Sequence, residues 1–365
     1  MLSNKTILIT GGTGSWGNEL TKQVLEQYNP KEIRIYSRGE HRQVQMKLKF
    51  SEHKNIRYFI GDVRDKNRLL IVMRNVDYVF HLAALKHVPV CEENPWESVL
   101  TNIVGTRNVI ECAIENQVEK VVDISTDKAV DPFNLYGVSK ACGEKLITAA
   151  NAESGNSTAF VCIRGGNVIG TNGSVIPLFK NQILKNNEVT ITDENMSRFF
   201  LSLPNAIRLI FKATEDSLGG EVFVMKMPSA NIIDIAHVMI EALGDENTRI
   251  RKIGIRPGEK LYEVLVSRYE SPRCVESGDY FIILPQIKIP KTEEYYRLHN
   301  KLDLEEFNSK NTRLLIKEDI KDILSKEGWL SKEGESKNGY YGYKLSDEEL
   351  KNVFKSEGWQ EEKRI

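Results

Sequence analysis

One short segment holds a tyrosine and a lysine at a spacing that suits proton transfer. Tyr136 and Lys140 are four positions apart, so on a helix both side chains leave the same face about one turn apart. A lysine ammonium beside a phenol favours the phenolate, which can then accept the proton of a hydroxyl group. We therefore predict that Tyr136 ionises below its usual pKa and acts as a base toward an alcohol.

Asp127 and Lys128 form a second acid and base pair shortly before that tyrosine. Oxidation of an alcohol does not need a second pair, so its presence predicts an additional proton transfer. A neighbouring aspartate and lysine can also be a plain surface ion pair. The position at the end of a predicted strand favours the catalytic interpretation, because reactive groups cluster in such clefts.

The elements that would position these residues begin with a strand and a glycine-rich turn. Residues 6–10 are apolar and β-branched, which predicts a buried parallel strand, and a helical apolar pattern follows the turn. Glycines between a strand and a helix let the backbone approach a pyrophosphate at the helix N-terminus. The predicted dinucleotide contacts here are Gly11, Thr13, Gly14, Ser15, Trp16 and Gly17.

The second predicted strand, residues 32–36, ends where the adenosine ribose of a dinucleotide would lie. Ser37 and Arg38 follow it. An acidic residue at this place would bind the 2′-hydroxyl of NAD, whereas an arginine can pair with a 2′-phosphate. We therefore predict NADP. NAD is the less favoured alternative, and it stays open because the acidic Glu40 is close. An exposed surface charge is the alternative interpretation of Arg38.

Three further predicted strands, at 56–60, 78–82 and 121–124, end in small or polar residues. Ligands of open parallel sheets bind at the carboxyl ends of the strands. The residues delivered there are Asp62 and Val63, then Ala83, Ala84 and Lys86, and then Thr126. We predict an α/β fold, a Rossmann-type doubly wound parallel sheet with a smaller C-terminal substrate-binding region.

Composition excludes several classes of function. The chain has 365 residues and a formal net charge of −1, which provides no field for capturing nucleic acid or an anionic membrane. No apolar run approaches the ~18–20 residues of a membrane span. The five cysteines include no Cys-x-x-Cys pair and the six histidines show no metal-ligand spacing. We expect a soluble cytoplasmic enzyme without a metal.

The chain divides into three predicted regions: an NADP-binding core over 1–165, a substrate-binding region over 166–290 and a polar helical tail over 291–365. Later segments could complete the core sheet. The tail repeats itself, since 317–329 and 347–359 match at a 30-residue offset and both end in Gly-Trp. Amphipathic helices of this kind usually cover a core, so we favour a structural brace over a partner-binding arm.

Seven motifs together resemble the extended short-chain dehydrogenase/reductase superfamily, and most closely the C5-inverting branch of the UDP-N-acetylglucosamine 4,6-dehydratases. They are TGGTGSWG at 10–17, LAALKHVPVCEENPWE at 82–97, TNIVGTRNV at 101–109, STDKAVDPFNLYGVSK at 125–140, RGGNVIGTNGSVIP at 164–177, MSRFFLSLPNA at 196–206 and RPGEK at 256–260. The resemblance spans residues 5 to about 265 and does not cover the tail beyond roughly 330.

The resemblance implies a reaction in which a UDP-sugar is oxidised at C4, loses water across C5–C6 and receives the hydride back at C6. NADP would stay bound throughout. Tyr136 would take the C4 hydroxyl proton, with Lys140 lowering its pKa and holding the nicotinamide ribose. Thr126 would bond the C4 oxygen, Asp127 would release the C6 hydroxyl as water, and Lys128 would remove the C5 proton.

Substrate contacts are also predicted beyond the catalytic segment. Diphosphate recognition needs guanidinium or backbone donors, and the ribose or uracil needs an acceptor. The candidates are Lys86, His87 and Asn167 for the sugar or cofactor, and Arg198, Arg256 and Glu259 for UDP. His87 as a structural residue, and the charged side chains as surface groups, are the alternatives. The superfamily implies a homo-oligomer through the helices at about 95–115 and 136–150.

Three alternative functions remain open at this stage. A retaining 4,6-dehydratase is the nearest, although Tyr136 and the Leu85-Lys86-His87 segment favour inversion. A nucleotide-sugar 4-epimerase would need a tyrosine, a lysine and a hydroxyl, but has no use for Asp127 and Lys128. A non-catalytic NADP-binding regulator would need neither pair.

Overall fold

The computed structural model describes residues 1–155, 157–171, 174–255 and 258–332. The predicted UDP contact Arg256 and the second copy of the tail repeat lie outside these ranges. No helix in the described part of the chain is long and apolar enough to cross a membrane.

Within the described residues, the central sheet has nine strands. In spatial order they are β3 (Ile56–Ile60), β2 (Glu32–Ser37), β1 (Thr6–Thr10), β4 (Tyr78–His81), β5 (Lys120–Thr126), β6 (Ala159–Gly165), β9 (Val222–Met225), β14 (Tyr280–Ile283) and β13 (Cys274–Ser277). The first seven run parallel, and the β13–β14 hairpin adds antiparallel to β9. Their apolar, largely buried sequences fit a sheet that is covered on both faces.

Helices follow the strands in the order expected of a doubly wound fold. They are α1 (Ser15–Gln27), α2 (Glu40–Lys49), α3 (Lys66–Val72), α4 (Val88–Glu93), α5 (Pro95–Val99), α6 (Gly105–Glu115), α7 (Leu135–Glu153), α8 (Val175–Asn186), α9 (Leu203–Asp216), α10 (Ile232–Leu243), α11 (Pro290–Tyr296) and α12 (Lys317–Lys326). The predicted Rossmann-type α/β fold is confirmed.

Three small two-stranded sheets surround the central one. They pair β7 (Glu188–Ile191) with β11 (Arg249–Lys252), β8 (Ser197–Phe199) with β10 (Ser229–Asn231), and β12 (Val264–Val266) with β15 (Phe307–Asn308). A second hydrophobic core forms between α8, α10 and α12, separate from the core of the large sheet. Because β9, β13 and β14 join the large sheet, the later region completes that sheet, and the boundary at 165 stays a prediction.

The first copy of the tail repeat packs against this second core. Helix α12 contacts α10 and buries Ile320 and Leu324 completely. Trp329, just beyond the helix, is 4% exposed and lies against Gly170. The first copy therefore covers a core, as a structural brace would, and the bracing role itself stays a prediction.

Candidate active site

A cavity of about 800 Å³ opens at the carboxyl ends of the central strands. Every predicted cofactor contact and every predicted catalytic residue lines it, as do the candidate substrate residues Lys86, His87 and Asn167. Strands β1 to β6 all end at this edge, which is why segments far apart in sequence meet there. The structure thus assembles one site from the strand ends, while the role of each residue stays a prediction.

The glycine-rich turn has the close approach that a dinucleotide requires. Gly11 has a φ of +65°, and a Cβ there would lie 2.8 Å from the backbone nitrogen of Ala83. A Cβ on Gly17 would lie 2.2 Å from the carbonyl oxygen of Gly12. Helix α1 begins at Ser15, so its N-terminus, the positive end of the helix dipole, meets the cavity. These residues fit a nicotinamide dinucleotide.

Two arginines line the end of the cavity where the adenosine ribose is expected. Arg38 is followed four positions later by Arg42, near the start of α2, and both line the cavity. The Arg38 side chain is 55% exposed and its Nη1 lies 4.0 Å from Asp62 Oδ2. Arg42 was missed in the sequence, although its spacing from Arg38 was visible there.

Asp62 is held by Arg64. The Nε and Nη2 atoms of Arg64 lie 2.9 and 2.6 Å from Asp62 Oδ2. Burial favours a higher pKa for Asp62, but the hydrogen bonds and charge of Arg64 outweigh burial and lower it. Arg38 is therefore not needed to neutralise Asp62 and remains available at the cavity wall.

Tyr136 and Lys140 lie on the first two turns of α7. The side-chain oxygen of Asn134 accepts from the Gly137 N–H and caps the start of this helix. Burial raises the pKa of Tyr136, although Lys140, Lys128 and a hydrogen bond with Thr126 act in the opposite direction. The expectation that the phenol ionises below its usual pKa is therefore wrong for the protein alone, because desolvation outweighs the two ammonium groups.

A buried carboxylate from strand β5 faces Lys140. The Oδ2 atom of Asp123 lies 3.2 Å from Lys140 Nζ, and both side chains are almost fully buried. Asp123 was not among the predicted site residues. An acidic residue within the apolar run Val121-Val122-Asp123-Ile124 was the available signal, since buried charges are rare unless paired.

Asp127 and Lys128 begin a 3₁₀ turn directly after β5. Lys128 Nζ lies 3.0 Å from Asp127 Oδ1, and the Thr126 hydroxyl donates to the same oxygen at 2.9 Å. The other oxygen, Oδ2, is buried without a hydrogen-bond partner among the described residues. This pairing is compatible with the plain ion pair as well as with catalysis, but its place in the cavity wall exposes it to a ligand.

Glu263 adds a second carboxylate to this group. Its Oε1 lies 3.5 Å from Lys128 Nζ, and its side chain is 4% exposed. Burial opposes the charge on Lys128, but Asp127 and Glu263 outweigh it and raise the pKa of Lys128. No local pattern around Glu263 pointed to this contact, since it joins residues 135 positions apart in the chain.

The remaining predicted residues divide into two groups. Lys86 and His87 have lowered pKa values, caused first by burial and then by the charges of Lys128 and Lys86 respectively. Arg198 lies outside the cavity wall, with Nη2 2.8 Å from the carbonyl oxygen of Lys260 and Nε 3.7 Å from Glu263 Oε1. Glu259 also lies outside the described wall of the cavity.

Together these groups give the cavity two chemically distinct ends. One end has a glycine turn, a helix N-terminus and two arginines, which suits a dinucleotide. The other has a phenol, two ammonium groups and a carboxylate, which suits repeated proton transfer to and from a hydroxylated ligand.

Comparisons with known proteins give the family. Residues 7–285 match the family described as polysaccharide biosynthesis protein. A UDP-N-acetylglucosamine 4,6-dehydratase (inverting) of Campylobacter jejuni is 46% identical over 301 residues, which cover 82% of this chain and 88% of that protein. A UDP-glucose 4-epimerase of Rickettsia canadensis is 43% identical over 330 residues, covering 89% of this chain and 96% of that protein.

Other similar proteins extend this result. A Methanocaldococcus jannaschii protein, named as an uncharacterized membrane protein, is 45% identical over 334 residues, covering 90% of this chain and 97% of its own. The X-ray structure of Pen from Bacillus thuringiensis is 42% identical with a TM-score of 0.82, covering 89% of this chain and 99% of that one.

A more distant structure shares the fold. The dTDP-glucose 4,6-dehydratase DesIV from Streptomyces venezuelae, solved with NAD and TYD bound, is 22% identical with a TM-score of 0.66. The match covers 80% of this chain and 97% of that one. The chain therefore belongs to the polysaccharide biosynthesis protein family, and it has the extended short-chain dehydrogenase/reductase fold of nucleotide-sugar dehydratases and epimerases.

Proposed function

We propose that this protein is a UDP-N-acetylglucosamine 4,6-dehydratase that inverts the configuration at C5 and uses bound NADP. The observation that carries the proposal is the Asp127–Lys128 pair, with a 3.0 Å contact, in the same cavity as Tyr136 and Lys140. Elimination of water needs an acid at C6 and a base at C5, in addition to the base at C4. The Campylobacter relative carries the name of this activity at 46% identity.

The cofactor would be held by the glycine turn of α1, by Arg38 and Arg42, and by Lys140. When bound, a nicotinamide supplies the hydride acceptor for C4 and the hydride donor for C6. NADP is favoured over NAD because two arginines and no acidic side chain follow β2 along this wall of the cavity. Asp62 does not weaken this preference, because Arg64 already binds it.

Elimination would follow once C4 is a ketone, because the C5 proton is then acidic. Tyr136, as the phenolate, takes the C4 hydroxyl proton. Lys128, as the neutral amine, takes the C5 proton while Asp127, as the acid, gives its proton to the departing C6 hydroxyl. The C5–H and C6–O bonds break, a C5–C6 double bond forms, and water leaves. Once C6 has received a hydride, Lys128 or solvent returns a proton to C5, and the face of its delivery decides inversion or retention.

The proton balance closes through Thr126. After one turnover Tyr136 has gained a proton and Asp127 has lost one. Thr126 donates to Asp127 at 2.9 Å, and its hydroxyl also acts to lower the pKa of the Tyr136 phenol, so this hydroxyl would pass that proton back. The active form thus carries one proton among Tyr136, Asp127 and Lys128. The raised pKa values of Tyr136 and Lys128 oppose this form in the protein alone, and an oxidised nicotinamide, which is positively charged, would favour it when bound. At lower pH a second proton blocks the reaction.

The epimerase is the second candidate, because the Rickettsia relative carries that name at 43% identity. Tyr136, Lys140 and Thr126 would suffice for it, and Asp127 with Lys128 would be a plain ion pair. The two activities give different products from the same substrate, so one experiment separates them.

The test is incubation of the purified protein with UDP-N-acetylglucosamine in D2O, without added cofactor, followed by NMR. We expect a 4-keto-6-deoxy sugar with deuterium at C5 and the L-arabino configuration. A product with the D-xylo configuration would show that the dehydratase retains the configuration at C5. Formation of UDP-N-acetylgalactosamine would show that the protein is an epimerase. Unchanged substrate, with NADP still bound, would point first to a different sugar substrate and second to the regulator. Asp127→Asn and Lys128→Met should lose dehydration and keep bound cofactor.

Oligomeric state and location stay predictions. Trp96 on α5 is 65% exposed and Val138 on α7 is 45% exposed, so apolar side chains are present at the surface of the helices expected at the oligomer interface. Sedimentation of the purified protein would measure the oligomeric state.

A further inference from the structure

Glu263 is a buried carboxylate whose backbone is fixed on both sides. Its N–H donates to the hydroxyl of Ser309 at 3.1 Å, and its carbonyl accepts from the Ser309 N–H at 2.9 Å. Strand β12 begins at the next residue and pairs with β15. The side chain therefore leaves a rigid part of the fold that is distant in sequence from the catalytic segment.

The carboxylate of Glu263 faces two cations, which differ in how firmly other contacts hold them. Oε1 lies 3.5 Å from Lys128 Nζ and 3.7 Å from Arg198 Nε. Arg198 is already anchored, since its guanidinium donates to the carbonyl oxygens of Ser197 and Lys260, each at 2.8 Å. Lys128 has only the side chain of Asp127 as its other anionic contact in the described chain. Of the two cations, Lys128, the proposed base, is therefore the one that depends more on Glu263 for its position.

The second carboxylate oxygen of Glu263 is not satisfied by a hydrogen bond in the described chain. Its Oε2 is buried and has no hydrogen-bond partner among the described residues. A purely structural carboxylate would normally have both oxygens satisfied, because a buried, unpartnered oxygen is costly. The unpartnered oxygens of Glu263 and Asp127 both belong to carboxylates that contact Lys128.

Titratable and charged groups from several elements face Lys128 and Glu263. Lys128 faces Asp127, Glu263, Arg198, Lys86 and Tyr136. Glu263 faces Lys128, Asp127, Arg198 and Lys260. Burial raises the pKa of Glu263 although the three cations act to lower it. Without the Glu263 charge, Lys128 keeps Asp127 as its anionic neighbour. Its other neighbours, Arg198, Lys86 and Tyr136, are positive or neutral.

We propose that Glu263 is a positioning residue for Lys128, sharing its ammonium with Asp127 and fixing both its place and its charge state. The proposal rests on the proposed function, in which Lys128 takes the C5 proton. In this role Glu263 would contact neither the substrate nor the cofactor. It acts through Lys128, from the residue before β12, and its carboxylate also lies 3.7 Å from Arg198 Nε.

The first test measures Lys128 directly and does not need turnover. Acetic anhydride labels neutral amines, and peptide mass spectrometry gives the labelling rate of Lys128 as a function of pH. In Glu263→Gln we expect the midpoint to move to lower pH by about one unit, because an opposite charge within 4–6 Å has been removed. Glu221→Gln, a buried carboxylate remote from the cavity, is the matched control and should leave the midpoint in place.

The second test measures the pH profile of C5 deuteration and product formation. In Glu263→Gln the acidic limb should move to lower pH, its plateau kcat should fall roughly tenfold from lost positioning, and KM should change less than about twofold. Glu263→Asp keeps the negative charge on a shorter side chain. The acidic limb of its pH profile should therefore stay close to that of the wild type, while kcat falls. Circular dichroism of each variant verifies folding.

The outcomes separate this proposal from the proposed function. A shifted labelling midpoint in a protein that does not dehydrate the sugar would uphold Glu263 as the partner of Lys128 and reject the dehydratase. In another outcome, the protein dehydrates the sugar, but Glu263→Gln moves neither the labelling midpoint of Lys128 nor the acidic limb of the pH profile. This result would overturn the role of Glu263 and leave the dehydratase in place. An unmoved midpoint in an inactive protein would overturn both.

Discussion

Lys140 Nζ lies 3.2 Å from the carboxylate of Asp123, and the two side chains are among the most deeply buried charged groups of the site. Asp123 raises the pKa of Lys140 against the effect of burial. The ammonium that is expected to serve Tyr136 is therefore held by the strand beneath it. A buried charge pair of this kind is costly to break from one side.

Replacement of Asp123 by asparagine should destabilise the protein through Lys140. The variant leaves a buried ammonium without its counter-charge, so we expect the free energy of unfolding to fall by about 3–5 kcal/mol. Urea unfolding measures the change. The double variant Asp123→Asn/Lys140→Met removes both charges and should recover much of the loss, although it stays inactive. A single variant as stable as the wild type would show that the pair is not tightly coupled.

Cofactor preference should depend on Arg38 and Arg42. Each arginine that pairs with a 2′-phosphate contributes about 1.5–3 kcal/mol, so Arg38→Ala and Arg42→Ala should each raise the Kd of NADP roughly tenfold or more. The Kd of NAD should change less than about twofold. Fluorescence titration with both dinucleotides measures the ratio. Arg57→Ala, an exposed arginine of β3 outside the cavity wall, is the control. Equal losses for NAD and NADP would contradict the assignment.

Acid should destabilise the protein through His81. The ring lies in the core, 2.7 Å from the hydroxyl of Thr10 and 3.2 Å from that of Thr106, and burial lowers its pKa to about 4. The unfolded chain therefore binds a proton first, near pH 6.5, and stability is lost as the pH falls from about 6.5 to about 4. This contribution amounts to about 3 kcal/mol.

Urea unfolding at about pH 7 and about pH 4.5 tests the histidine. His81→Gln cannot titrate and should lose less stability between the two values than the wild type does. His41→Gln, at an exposed position of α2, should behave like the wild type. Equal acid sensitivity of His81→Gln and the wild type would place the effect on other groups, such as Glu270, whose pKa is lowered to about 2 chiefly by Arg164 against the effect of burial.

The brace formed by the first tail repeat should be needed for stability. Gly170 has a φ of +70°, and a Cβ there would lie 2.6 Å from the ring of Trp329. Trp329→Ala should lower the free energy of unfolding by about 3–5 kcal/mol, as for other buried aromatic residues. Thermal unfolding measures it, with Tyr269→Ala, which removes a 78% exposed aromatic ring, as the control. Similar melting temperatures for the two variants would contradict the brace.

Gly170→Ala should be destabilising as well, and it should also raise KM, because Val168 and Thr171 on either side of it line the cavity. In combination with Trp329→Ala the two losses should be less than additive, since the same contact is removed twice. Strict additivity would indicate that Gly170 acts through its backbone angle alone.

Much of the fold was predictable because its signals are local. The structure confirms, within a few residues, the predicted strands at 6–10, 32–36, 56–60, 78–82 and 121–124. Buried apolar runs and helical periodicity depend on neighbouring positions only. The β13–β14 hairpin was missed, because its place in the large sheet depends on the pairing of β14 with β9, which lies 55 to 61 residues earlier in the chain.

What the sequence by itself determined is which reactive groups exist and at which strand ends they stand, from the glycine turn to the i, i+4 spacing of Tyr136 and Lys140. Only the tertiary structure decided how those groups are charged and held. Asp123 and Glu263 meet their lysines across 17 and 135 residues, and Arg198 binds backbone carbonyls beside Glu263. The Tyr136 phenol keeps a raised pKa because burial outweighs its ammonium neighbours. Desolvation and long-range ion pairing depend on packing in three dimensions, which local patterns do not encode.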